Sequence, residues 1–353
     1  MIKFKYFILS LAVFSLIVLI SGCDSKENDP ATSGSDILAI DTSEIKGTPV
    51  TDNSFSEFEL SYNVQKGNTF LYKLTSITEE TQSLKTDTVQ SMNAKQQISY
   101  LIEVKVEELE ADKTMELSFT FKEVAVEGSF NDEKYKFLSS TKNDTAVEER
   151  FLEYQALINN PFNARIDKSG NIAELYRTTK IADKVLDLRK MKDSINAEQK
   201  QNFIQDITDG ALRPVVMQLF RKLPEAKVAK DSTWYFPQQK ASFQIFTIQN
   251  THGFKLSSFE KVGDQTYAVI DATLISQSEL APDAKANGIS MKNTGYSGNG
   301  KLYYNVGKGV FEKSKTTTTL TVELDMKAPP GAPFSSAKRK QSTKTTNFLQ
   351  LLK

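Results

Sequence analysis

Histidine, tryptophan and cysteine each occur once in the 353 residues, as His252, Trp234 and Cys23. A lone cysteine excludes an internal disulfide and a cysteine-built metal site. A lone histidine excludes the usual histidine-rich metal sites, and no other cofactor is implied. Net charge is missing as well, since Lys+Arg and Asp+Glu both number 44. That balance leaves no footprint for nucleic acid or for a strongly acidic substrate. Beyond the first twenty residues there is no long apolar run, so the fold must be held by apolar burial and strand pairing.

What is present begins with an apolar run, Phe7 to Ile20, behind Lys3 and Lys5. A charged head, an apolar stretch and small residues before a cleavage point make residues 1–22 a secretory signal, too short for a comfortable transmembrane span. Ile20-Ser21-Gly22-Cys23 resembles the bacterial lipobox. The resemblance implies lipidation of Cys23, a membrane partner through the lipid anchor, and residence in the cell envelope. The plainer alternative is an ordinary signal peptide with an incidental cysteine. Cleavage leaves 331 residues and 42 basic against 44 acidic side chains, because Lys3 and Lys5 are lost. Residues 23–55 are polar and turn-rich, the composition of a flexible tether, although Ile37-Leu38-Ala39-Ile40 interrupts the polarity and is placed to dock. Asp24-Ser25-Lys26-Glu27-Asn28-Asp29 resembles the acidic export signal of surface lipoproteins in Bacteroidota, which implies the outer membrane and its surface. An aspartate directly after the cysteine implies inner-membrane retention under enterobacterial rules, and both readings stand.

Residues 56–353 read as a single β-rich domain with a helical centre at about 145–223. Phe58, Leu60, Tyr62 and Val64 alternate with polar residues, as in a half-buried strand, and so do Ile98, Tyr100, Ile102, Val104 and Val106. Helical spacing predicts helices over 145–159 and 178–189. Asn196 with Gln199 is spaced as a capping box. The helix it opens carries Phe203, Ile207, Leu212, Val216 and Phe220, with Gly210 and Pro214 expected to bend it. Strand patterns return after Leu223-Pro224 and continue to Phe348-Leu349, past a loop at Ala328–Pro333. The fold class expected is β-dominated α+β: antiparallel meanders in a strongly curved sheet or incomplete barrel, with the central helices packed on it.

Four pieces in this order are similar to the uncharacterised Bacteroidota lipoproteins of the domain-of-unknown-function family numbered 6263. They are Tyr62-Asn63-Val64-Gln65-Lys66-Gly67 with Tyr72; Asn160-Pro161 through Ile172; Leu219-Phe220-Arg221-Lys222-Leu223-Pro224 with Asp231-Ser232-Thr233-Trp234; and Gly298-Asn299-Gly300-Lys301-Leu302-Tyr303-Tyr304. The resemblance spans most of residues 56–350. It implies a secreted β-rich lipoprotein and supplies no catalytic residues.

No motif points to an enzyme. His252, in Asn250-Thr251-His252-Gly253, reads as a turn between strands, and no serine stands in a Gly-x-Ser-x-Gly elbow. Lys66-Gly67-Asn68-Thr69 reads as a hairpin turn, and the Asp167–Asn171 turn falls short of a calcium loop. The apolar helical surface is the stronger lead. Phe203, Ile207, Leu212, Val216 and Phe220, together with Trp234, are the candidate lining of a site for a lipid or other apolar ligand. Such an architecture is similar to the periplasmic lipoprotein carriers and mycobacterial lipid-binding lipoproteins, incomplete barrels plugged by helices. The competing function is that of a structural or accessory subunit binding another envelope protein, and a hydrolase has no motif behind it.

Overall fold

The computed structural model describes residues 37–51, 55–243, 245–327 and 335–353. Cys23, the signal segment and the Ala328–Pro333 loop lie outside them. The strands are β1 (Thr48–Pro49), β2 (Thr69–Lys85), β3 (Val89–Leu109), β4 (Met115–Phe130), β5 (Glu133–Leu138), β6 (Phe162–Ile166), β7 (Ile172–Tyr176), β8 (Thr233–Pro237), β9 (Ala241–Phe243), β10 (Phe246–Val262), β11 (Gln265–Leu280), β12 (Ile289–Asn305), β13 (Val310–Lys327) and β14 (Ser336–Leu351). The helices are α1 (Thr145–Arg150), α2 (Leu152–Leu157), α3 (Thr179–Leu188), α4 (Ala197–Gln205), α5 (Arg213–Leu219) and α6 (Pro282–Ala286).

Among the described residues all fourteen strands join one antiparallel sheet, ordered β1-β10-β11-β12-β13-β14-β2-β3-β4-β6-β7. β5 adds to β4, and β8 and β9 add to β10. The two meanders become one sheet because the last strand pairs along β2, from Leu351 opposite Tyr72 to Lys338 opposite Lys85. The ends of this order do not pair with each other, so the sheet is open. It is nonetheless strongly curved. Tyr72, Ile102 and Phe119 share one buried cluster with Leu256, Ile270 and Tyr304, from strands several places away.

The helices fill the concave side of this half. Asn196 accepts from the Gln199 amide at 2.9 Å and donates its own amide to the Gln199 side chain at 2.9 Å, which is the capping box expected. The bend falls between α4 and α5 as a π-helical segment, Asp206–Leu212, followed by Pro214 in the first turn of α5. A wider turn followed by a proline re-aims the apolar stripe without a break in the chain. Val216, Leu219 and Phe220 thereby enter the core.

The outer face of the same half is covered by residues 37–51, part of the stretch whose composition is that of a tether. Leu38 O accepts from Gln97 of β3 at 2.7 Å and Ala39 O from Lys73 of β2 at 2.6 Å. Asp41 pairs with Lys313 of β13 at 2.5 Å, and Thr48–Pro49 then pair with β10. Ile37 is buried, and Ile45 packs on an outer-face cluster of Tyr267, Val269 and Tyr303. The Ile37–Ile40 interruption therefore does dock.

Three sequence readings change. The alternating stretch Phe58–Val64 is not a sheet strand: it makes one bridge, Phe58 to Val228, while burying Leu60, Tyr62 and Val64. Alternation reports one buried side and needs no ladder partner. Asn250–Gly253 is no turn but the middle of β10. Gly253 lies where a Cβ would come within 2.7 Å of Thr273 Oγ1 and 3.1 Å of the Tyr235 ring, so close strand approach explains this glycine. Finally, β2 and β3 run on through polar residues, Thr75–Lys85 and Val89–Gln97, well past their apolar stretches.

Candidate functional site

Cross-strand partners share a face, so the register maps the concave side level by level. Leu74, Leu349, Ser314, Leu302, Ile270 and Leu256 form one buried level of the core. The next two levels outward carry Ser76, Thr316 and Gly300, then Thr78, Thr345, Thr318 and Gly298. None of these seven residues is fully buried. Farther out, Leu320, Val322 and Leu324 are buried again, in a small cluster with Phe246 and Ile248. The concave face thus has a helix-filled end, a closed tip, and a belt of small, half-exposed residues between them.

One wall of the belt is aromatic. β8 pairs with β10 so that Trp234 faces Phe254 and Phe236 faces His252. Trp234 stacks on Phe254 with ring centroids 5.8 Å apart. Trp234, Phe236 and Leu274 are all half-exposed. Lys222 lies with its Nζ 4.8 Å from the Phe236 ring centroid.

The chain leaving α5 is fixed against this wall by the Asp167–Asn171 turn. The Asp167 carboxylate accepts from the Ser169 and Asn171 amides at 2.8 and 2.9 Å and from both of their side chains, so its oxygens are taken up within the turn. Those bonds hold its carboxyl below the usual range against the opposing effect of burial. Ser169 O accepts from Leu223 N at 2.7 Å, and the Tyr62 hydroxyl donates to Arg221 O at 2.9 Å. Gly170, at φ +84, could carry no Cβ, because that atom would lie 2.5 Å from Arg221 O.

Arg221 is thereby set within electrostatic reach of both Tyr62 and His252. Burial pushes the guanidinium down to about 10, so it stays charged at neutral pH. Burial, and then Arg221, hold the His252 imidazole below its ordinary value. No hydrogen bond among the described residues orients that imidazole. Several buried polar atoms here have no hydrogen-bond partner among the described residues: Arg221 Nε, Trp234 Nε1, Gln218 Oε1, Asn250 Oδ1 and Ser276 Oγ. Asn250 and Ser276 are direct cross-strand partners.

The six candidate lining residues separate into two groups. Leu212, Val216 and Phe220 are buried in the main core, and Phe220 packs on Tyr62 and Phe119 at 5.1 and 5.9 Å. Ile207 is partly buried against the same cluster, and Phe203 is half-buried outside it. Trp234 is likewise partly buried against that cluster and is the one of the six that stands on the belt wall. Phe236 stands beside Trp234 in sequence as a candidate lining residue, whereas Arg221, Leu274 and Asn250 are not marked out by the sequence as site residues. The signal for Arg221 was its place between the buried Phe220 and the apolar Leu223-Pro224. Two other depressions, of about 310 and 290 Å³, lie on the outer face. The first is a polar trough across β13, β14, β2 and β3, and the second lies beneath Asp41–Glu44.

A family model described as a family of unknown function, DUF6263, matches residues 112–310. The match contains three of the four pieces on which the resemblance rested, leaving out Tyr62–Gly67 with Tyr72. No curated protein matches the chain. Among solved structures, lipovitellin, from a study of lipid–protein interactions, superposes with a TM-score of 0.42 at 10% identity. That superposition covers 82% of this chain but 26% of lipovitellin, so the chain spans about a quarter of that protein. The outer membrane protein OprG of Pseudomonas aeruginosa gives 0.17 at 10% identity, over 81% of this chain and 98% of OprG. DynF from the dynemicin biosynthesis pathway of Micromonospora chersina gives 0.15 at 6% identity, over 89% of this chain and 96% of DynF. These likenesses carry no argument about what the chain does.

Proposed function

We propose a role for this chain from the premise that it belongs to the DUF6263 family, a family of unknown function. It is a lipoprotein held in the bacterial envelope, outer membrane included, by acylated Cys23, and its curved sheet binds a lipid or other apolar ligand on the concave face. One observation carries the binding half of this reading. Phe220 is buried at the end of the helices, and past it Trp234 and Phe236, packed against the rim of the same cluster, stay half-exposed with Leu274 on the concave wall. Apolar side chains gathered in a concavity with a few polar groups are the usual composition of a ligand site. The lead therefore moves from the helical stripe, most of which is core, to the wall just beyond it. The anchor half rests on the lipobox resemblance of residues 20–23.

The test is an emission titration of the full-length protein in mild detergent. Trp234 is the sole tryptophan, so its fluorescence reports the wall directly. Long-chain alcohols and fatty acids are expected to shift that emission and to saturate. No saturable change with any apolar ligand would remove the binding reading. Metabolic labelling with an alkyne fatty acid tests the anchor, and label retained in Cys23→Ser would remove it.

A further inference from the structure

Of the other arginines in the described residues, Arg165, Arg189 and Arg213 pair with Glu110, Glu153 and Asp209. Arg150 and Arg177 lie over aromatic rings, and Arg339 donates from Nη2 to Gln341 at 2.8 Å although its Nε is also without a partner. Arg221 does none of these. Its Nε is inaccessible to water and has no acceptor among the described residues, although a guanidinium presents five donors in a planar fork suited to carboxylate and phosphate. Arg221 as a whole is partly buried, and a guanidinium whose Nε is shut away from water with no acid beside it is an unfavourable arrangement that proteins retain mainly at functional sites.

Its surroundings name the missing partner. Lys222 brings a second positive charge onto the Phe236 ring. Phe236 and Trp234 belong to one strand, opposite His252 and Phe254. Trp234 Nε1 is a second buried donor with no acceptor. The unpartnered Arg221 and Trp234 donors, with two cations and no carboxylate in hydrogen-bond contact, call for an anionic oxygen, while Gln218 Oε1 and Asn250 Oδ1 stay open to a donor. The half-exposed aromatic wall and the belt beside it call for an apolar body.

We propose that Arg221, assisted by Lys222, receives the carboxylate or phosphate head of an amphipathic ligand whose apolar part lies along the Trp234–Phe236 wall. This rests on the apolar-ligand reading above and gives it a chemical class, a single-chain or diacyl lipid with an acidic head. The ligand is oriented head inward, against the end of α5, because the cation sits where the helix-filled core begins.

Palmitate, hexadecanol and inorganic phosphate, each titrated into the full-length protein and read by Trp234 emission, test this. Palmitate is expected to bind at least about tenfold more tightly than hexadecanol, the margin of one charge-assisted hydrogen bond. Arg221→Gln is expected to erase that margin while leaving hexadecanol binding in place, and Arg221→Lys to restore part of it. Lys222→Gln, at an exposed position, serves as a variant that leaves folding intact and should reduce the margin by a smaller factor. Inorganic phosphate alone is expected not to displace palmitate at millimolar concentration. Displacement by phosphate, lost in Arg221→Gln, would overturn the lipid source and assign the site to a free anion. Equal binding of palmitate and hexadecanol in wild type and variants would overturn the head-group site and leave the apolar reading standing. No binding of either would overturn both.

Discussion

The same strands pass through two environments. At the helix-filled end, Tyr72, Leu74 and Tyr100 face helices and loops inward, while the outer face, with Thr75 and Ser99, is covered by residues 37–51. At the other end β2, β3, β13 and β14 keep their pairing for about ten more residues, yet apart from the small cluster of Leu320, Val322 and Leu324 on β13 they carry mostly polar side chains on both faces. Pairing alone therefore extends a strand without filling it. Stability belongs to the end packed on both sides, and the loosely covered end is free to offer surface.

Truncation in the core tests this contrast most severely. Phe119 is fully buried and stacks on Phe162 with centroids 5.2 Å apart. Phe119→Ala should lower the stability measured by urea unfolding by about 3–5 kcal/mol, and a loss below about 1 kcal/mol would break the comparison. Leu320→Ala, in the small distal cluster, should cost about 2 kcal/mol, the low end for such truncations. The damage should stay local: hydrogen exchange should quicken at 320–324 while Tyr72–Leu74 remain protected.

A smaller effect concerns the outer covering. The Lys313 ammonium first, then the Ser43 hydroxyl and amide, hold the Asp41 carboxyl well below the usual carboxylate range. Its folded value lies below its unfolded one. The contribution is therefore complete above the unfolded value of about 4 and fades as pH falls toward the folded one. Exchange of the 37–51 amides should be flat in protection from pH 8 to pH 5 and loosen below pH 4, and Asp41→Asn should remove that step. The smallest change expected is at the belt, where Thr318→Ala should shift stability by no more than about 0.5 kcal/mol. A larger loss would mean that the belt is packed core.

The residues explain why some of this was legible in sequence and some was not. Ile98 to Val106 announces a strand because every second side chain is apolar, and Asn196 with Gln199 announces a helix start by spacing alone. The polar halves of β2 and β3 carry no such period, since neither face is buried deeply enough to demand one. Phe58–Val64 carries the period and forms no ladder, because it threads the core as a single extended segment. Trp234 was conspicuous in the sequence as a candidate lining residue, although a place in the core is the commoner use of that side chain. Arg221 was not: beside Lys222 it reads as an ordinary basic pair ending a helix, and the isolation of its guanidinium is set by Tyr62, the Asp167–Asn171 turn and β10, all distant in sequence.

The covering of the outer face also has a mechanical meaning. Tension applied to the chain ahead of Ile37 meets side-chain and carbonyl contacts strung across β3, β2, β13 and β12 before it reaches the pairing with β10. When lifted from the surface, such contacts yield one after another, like a zipper, and each needs little force. The fifteen residues from Ile37 to Thr51 would pay out about 50 Å of slack before any strand of the core bore load. A protein hung from a membrane by this end would carry its own shock absorber, with β10 the first sheet strand to bear load once it is spent.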